Sequence, residues 1–138
     1  MTAKEELLQL RTLQAEMRDQ AETAAALWAR ATSVTQHISD MPGGGPRQDM
    51  GDIVAAMADM ERELKDRLTE LARLQMGIMA RICQIEDGRY RRLLVLRYVD
   101  GLSWEDVANR MSYSRVQIFR LHGQALLEYD RLRQDDTT

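Results

Sequence analysis

Residues 90–129 read YRRLLVLRYVDGLSWEDVANRMSYSRVQIFRLHGQALLEY, and the spacing inside this stretch decides the fold. Ser103 stands three residues before Asp106, so its hydroxyl can accept from the Asp106 amide while the carboxylate reaches back, the pattern of a helix start. Val107, Ala108 and Met111 then share one face, and the run breaks at Ser112-Tyr113, where small and aromatic residues suit a tight turn. Ser114 can cap a second helix, 115–129, whose Ile118, Leu121, Ala125, Leu126 and Tyr129 recur at three- and four-residue steps as an inward stripe. Arg115, Gln117, Arg120 and Gln124 are left outward. Before them a supporting helix, 89–99, should pack Leu93, Leu94, Leu96 and Tyr98 behind this pair, which gives the spacing of a helix-turn-helix.

The outward set has the right chemistry for reading double-stranded DNA. Arginine pairs bidentately with guanine and glutamine with adenine in the major groove, and a recognition helix reads bases mainly through its N-terminal residues. The competing reading of the same residues is an ordinary solvated helix face. Arg89, Arg91 and Arg92 cluster at the start of the supporting helix, where they suit phosphate contact or else simply balance acidic residues elsewhere.

From Arg89 to Leu126 the chain resembles region four of bacterial sigma factors. The resemblance runs through Leu94-Val95-Leu96-Arg97-Tyr98, Gly101-Leu102-Ser103, Glu105-Asp106-Val107-Ala108 and Ser114-Arg115, together with the Ile118, Leu121, Ala125, Leu126 stripe. The wider layout, with its Ser39-Asp40-Met41-Pro42-Gly43 loop between long helices, is similar to small phage and prophage regulators of late transcription of the ArpU and RinA type. The resemblance implies a transcription regulator that binds promoter DNA and contacts RNA polymerase. It sets Arg115 and Arg120 where sigma region four reads the promoter's upstream element. Val116 and Phe119 occupy positions that are usually charged in sigma factors, so the preferred sequence should differ, with Phe119 or Val116 touching thymine methyls. The DNA-binding set is then Ser114, Arg115, Val116, Gln117, Phe119, Arg120, Gln124 and Arg92.

The rest of the chain reads as long helices. Aromatic residues are only 5% of the composition and the two prolines lie close together, which favours an all-α protein. Residues 3–36 form one helix in which Leu10, Met17, Ala24 and Ala31 repeat every seven residues, with Leu13, Gln20, Leu27 and Val34 on the companion series. At ~1.5 Å per residue it is on the order of 50 Å long and needs a partner along its length. That partner is the helix 49–86, capped by Asp49 or Asp52, with Ile53, Met57, Met60, Leu64, Leu68, Leu71, Leu74, Ile78, Ile82 and Ile85 as its seam. Residues 37–48, with Met41-Pro42-Gly43-Gly44-Gly45-Pro46, supply the turn, and His37 sits at a helix end. The two helices should pack as an antiparallel hairpin arm over residues 1–87, ended by Asp87-Gly88 with the glycine in a left-handed cap, followed by the module 88–133 and an acidic tail 134–138. The methionines of the second helix fit a core better than a partner surface. Leu7, Leu8, Trp28 and Ile53 are apolar residues that one seam does not fully bury, so a homodimer through the arm is plausible on sequence.

Charge follows the same division. Residues 1–88 hold ten basic against fifteen acidic residues, 89–133 hold nine against five, and the last five residues add two acids, for a net of −3. Positive potential therefore gathers on the module that would meet phosphates. No apolar run approaches the ~18 residues of a membrane span and no basic leader precedes an apolar stretch, so a cytoplasmic protein without membrane contact is expected. Cys83, the only cysteine, suits a reducing compartment as a buried or half-buried thiol. The two histidines are isolated, the Gly43-Gly44-Gly45 run lacks a following Lys-Ser/Thr, and no serine is paired with a base by spacing. Neither catalysis nor a metal or other cofactor is expected. Two other classes compete with the DNA reader: a protein–protein adaptor that docks on RNA polymerase, favoured by Val116 and Phe119, and a DNA-packaging recognition subunit like a small terminase.

Overall fold

The structure is a computed structural model and describes residues 1–40 and 47–137. The chain is all-α: among the described residues every regular element is helical. In order these are α1 (Ala3–Asp40), α2 (Arg47–Cys83), α3 (Gly88–Leu94) running directly into one π-helical turn (Val95–Val99), α4 (Trp104–Met111) and α5 (Arg115–Thr137). Among them no helix is long and apolar enough to cross a membrane.

Local chemistry sets most of the ends. Thr2 and Glu5 exchange side-chain bonds with each other's amides, at 2.8 and 3.2 Å, which starts α1 at Ala3. At their ends flanking residues 41–46 both long helices reach further than the sequence reading placed them. α1 continues to Asp40, and α2 begins at Arg47, so Asp52 lies beyond its first turn and does not cap it, while the side chain of Asp49 lies outside the described residues. The turn expected over Met41 to Pro46 and the side chains of Val34 and His37 lie outside the described residues.

The far end of α2 also differs. It stops at Cys83, and Gly88 is the first residue of α3 with no left-handed backbone. Asp87 is the cap: its carboxylate accepts from the Arg89 amide at 2.9 Å and binds the Arg89 guanidinium, which holds it at a pKa of about 2. Cys83 is exposed, because Ile82 and Ile85 take the inward phase on either side of it. The positive φ belongs to Gly101 at 73°, where the chain leaves the π-helical turn and the Leu102 amide returns to the Leu96 carbonyl at 3.0 Å. Arg11 and Arg97 both donate to the Leu102 carbonyl, at 3.2 and 2.9 Å, and the Arg97 guanidinium lies 4.3 Å from the centre of the Trp104 ring.

The chain divides into two compact units, one of Met1–Leu13 with Leu71–Thr138 and one of Gln14–Glu70. The first unit contains the core. Leu7, Leu10, Ile78 and Ile82 are fully buried together with Leu93, Leu94, Tyr98, Val107, Ile118 and Tyr129. The compact boundary therefore falls inside the two long helices and not at Asp87-Gly88, and Leu7, expected to be left uncovered, is a core residue. A polar cluster closes this core at one edge. Glu6 accepts from Tyr129 Oη at 2.8 Å and from Arg81 at 2.7 Å on one oxygen, and pairs with Arg133 at 2.9 Å on the other. Burial and the Glu6 carboxylate raise the Tyr129 phenol above its ordinary value. Asp136 pairs with Arg81 at 3.2 Å, so residues expected to form a separate acidic tail from 134 belong to α5 as far as Thr137.

In the second unit the seam of α1 is half-buried at Met17, Gln20, Ala24, Leu27 and Ala31, as the heptads require. On α2 the half-buried positions are Ile53, Met57, Met60, Leu64 and Arg67. Leu68, expected in the seam, is 55% exposed. A strict alternation of three and four steps from Leu64 lands on Arg67, whose guanidinium pairs with Glu16 at 2.5 Å. None of the described residues of this unit is buried.

Candidate functional site

The segment from α4 to the start of α5 is shaped by three consecutive caps. Ser103 Oγ accepts from the Asp106 amide at 3.2 Å and opens α4. At the other end Ser112 adopts the left-handed conformation, φ 59° and ψ 39°, while the Tyr113 amide reaches the Ala108 carbonyl at 3.0 Å and the Ser112 amide reaches that of Asn109 at 3.3 Å. This is a Schellman closure without glycine. Two residues later Ser114 and Gln117 cap each other: the Gln117 amide donates to Ser114 Oγ at 3.2 Å and the Ser114 amide to Gln117 Oε1 at 2.9 Å. The first turn of α5 is thus held in a single direction relative to α4.

Val107, Ala108, Ile118, Leu121 and Ala125 are buried, which leaves the opposite side of α5 outward. Its centre line is apolar. Val116, Phe119 and Leu127 are each at least half exposed, and Gly123 lies among them with open space where a Cβ would stand. Phe119 rests edge-on against Trp104, with ring centroids 5.4 Å apart. Arg115 flanks this line on one side, Arg120 and Gln124 on the other.

The polar residues expected to read bases are not equally available. Gln117 spends its carbonyl oxygen on the cap, and Gln124 Oε1 accepts from Tyr90 Oη at 3.0 Å. Arg92, placed at phosphates by the sequence, donates to the Arg110 carbonyl at 3.1 Å and so closes the end of α4. Its neighbours are likewise engaged. Arg89 pairs with Asp87, and Arg91 donates to the carbonyls of Ile85 and Glu86. Farther along, Arg97 bonds Leu102, Arg131 pairs with Glu128 and Asp135, and Arg133 with Glu6. The side chains of Arg110, Arg115 and Arg120 have no partner among the described residues, and all three are exposed.

Arg110 is the member that sequence reasoning missed. It sits in the last turn of α4, beside the turn leading to α5, and its only sequence signal is a lone basic residue on the outward phase of that helix. Behind the site, His122 is packed between Tyr98 and Trp104: its Nε2 and Tyr98 Oη share a bond of 2.6 Å, and the Trp104 ring centroid is 4.6 Å away. Burial, with the charges of Lys4 and Arg97, pushes its pKa down to about 4. The ring is therefore neutral at physiological pH and acts as a packing group. Among the described residues no group of three His, Cys, Asp or Glu is placed to hold a metal ion.

A family model described as "Protein of unknown function (DUF1492)" matches residues 31–130, from the later turns of α1 to nearly the whole of α5. No curated protein and no solved structure shows a significant match to the chain. With most of its length covered by that match, the chain belongs to the DUF1492 family.

Proposed function

We propose that this DUF1492 protein is a sequence-specific binder of double-stranded DNA that regulates transcription, with α4, the turn at Ser112 to Ser114 and α5 acting as a helix-turn-helix. The observation that carries the reading is the selective availability of arginine. Six of the nine arginines between 89 and 133 are held by internal bonds, and the three left over, Arg110, Arg115 and Arg120, bracket the turn and the outward face of α5. Arg115 and Arg120 suit bidentate pairing with guanine, and Val116 and Phe119 suit thymine methyls. Arg110 suits a phosphate. Gln117 and Gln124 cannot pair bidentately with adenine while their oxygens are in use, so the preferred site should owe its purines to arginine. The resemblance to sigma region four and to ArpU- and RinA-type regulators supports transcription as the process, with RNA polymerase as a further partner.

Selection of bound duplexes from a random library tests this directly. A recovered motif whose guanines lose preference in Arg120→Ala supports the reading. Unchanged affinity and unchanged preference in that variant would sink it.

The apolar line Val116, Phe119, Leu127 favours a second reading, in which α5 docks on a protein such as a polymerase subunit without reading bases. Recovery of no motif, together with polymerase capture lost in Phe119→Ala, would select it.

A further inference from the structure

The second unit, Gln14–Glu70, is incomplete by itself. None of its described residues is buried, and a helical unit of this size that shields so little apolar surface does not offset the conformational entropy of ordering its chain.

The heptad phases show where the missing cover belongs. With the seam residues of both helices as positions a and d, the e positions are Ala21 and Trp28 on α1 and Val54, Glu61 and Leu68 on α2. The g positions are Glu16, Thr23 and Arg30 on α1 and Ala56, Glu63 and Glu70 on α2. One flank is thus mostly apolar and the other mostly polar. A two-helix coiled coil requires only a and d, whereas a third apolar position in each heptad belongs to helices packed in a larger bundle. Three of these e residues, Trp28, Val54 and Glu61, line one groove of about 790 Å³ between the two helices, where Ala24, Ala25 and Ala58 are small enough for another helix to approach closely. Trp28 is 65% exposed and Val54 59%.

We infer that a second copy of this chain packs its own α1–α2 groove onto this one, closing a four-helix bundle and making the protein a dimer through the second unit. The groove has an apolar rim on each of two helices. A single foreign helix would cover part of it, while a second pair with the same two rims covers both and has its own rims covered in return, the self-complementarity of a two-fold interface. The apolar flank runs about 15 residues on α2, from Val54 to Leu68, so the strip is ~22 Å long and about 20 Å wide, a footprint on the order of 450 Å² per copy against ~800 Å² per partner in a standard stable interface, which makes the dimer a reversible one. Both signs of charge occur within a turn on α2, Lys65 four residues from Glu61, as a surface that meets itself requires. This dimer does not rest on the DNA-binding reading.

The test is the mass of the full-length protein in solution without DNA, by sedimentation equilibrium from nanomolar to micromolar concentration. A dimer is expected, weakened roughly 100-fold by the double substitution Trp28→Glu, Val54→Glu and unaffected by Thr23→Glu on the polar flank. If the double variant loses helicity by circular dichroism, Trp28→Ala replaces it, with at least about a tenfold weakening expected. A wild-type monomer at every concentration overturns the inference and leaves the groove to a partner of different sequence. A ring of more than two copies, or a dimer that neither Trp28 variant weakens, overturns it as well.

Discussion

Ser112 carries a left-handed backbone that a β-carbon resists by roughly 1–2 kcal/mol. Ser112→Gly is therefore expected to raise stability by up to about 1 kcal/mol in urea unfolding, and Ser112→Val to lower it by about 1–2 kcal/mol. Equal midpoints for the three proteins would show that the turn is not strained. His122 gives a pH signature. Its folded pKa of about 4 lies below the unfolded value of about 6.5, so its contribution is complete above that value and is lost as pH falls from 6.5 towards 4, because the unfolded chain takes up the proton first. With the ring partly exposed, the loss is on the order of 2 kcal/mol. His122→Phe should flatten the stability profile in that window relative to wild type, leaving only the carboxylate titrations. A slope that survives the substitution would place the proton elsewhere.

At the scale of the element, α5 combines a buried stripe, a polar lock at its far end and a bare patch at Gly123. Among the described residues nothing fills the space above that glycine, although glycine within a helix costs about 1 kcal/mol against alanine. Gly123→Ala should stabilise the fold by about 0.5–1 kcal/mol while weakening duplex binding if a backbone approaches α5 there. Binding that is unchanged or stronger would place Gly123 outside the interface. The lock depends on Glu6, which serves Tyr129, Arg81 and Arg133 at once; Glu6→Ala removes this shared acceptor, and although Arg81 keeps Asp136 and Arg133 keeps Asp130, it should cost about 1–2 kcal/mol in the same unfolding measurement. Among the described residues the heptads match the inward side of α1, and on α2 they miss one position. Leu68 is the more hydrophobic choice next to Arg67, but position in the repeat, not hydrophobicity, decides which side chain turns inward.

For the whole molecule, the net charge of −3 hides a basic segment whose arginines are mostly spent on internal bonds. Electrostatic attraction to DNA should accordingly be modest in its salt dependence. Arg110→Ala is expected to reduce the slope of log affinity against log salt by about 1 and to weaken all sequences alike, in contrast to the sequence-selective loss in Arg120→Ala. A selective effect of Arg110→Ala would make it a base reader.

What the sequence determined by itself is local. The caps at Ser103 and Ser114, the break at Ser112 and the inward stripe of α5 all follow from residues within one or two helical turns of each other, so their spacing is sufficient to place them. The tertiary structure decided which side chains remain available. Glu6 meets Tyr129 across 123 residues of chain, Arg81 meets Asp136 across 55, and Tyr90 meets Gln124 across 34. Whether Arg92 faces outward for a ligand or is consumed by a cap depends on which carbonyl folding brings beside it, here that of Arg110. Periodicity carries no information about such long-range pairings, because a helix face is the same in sequence whether a distant partner lies against it or water does.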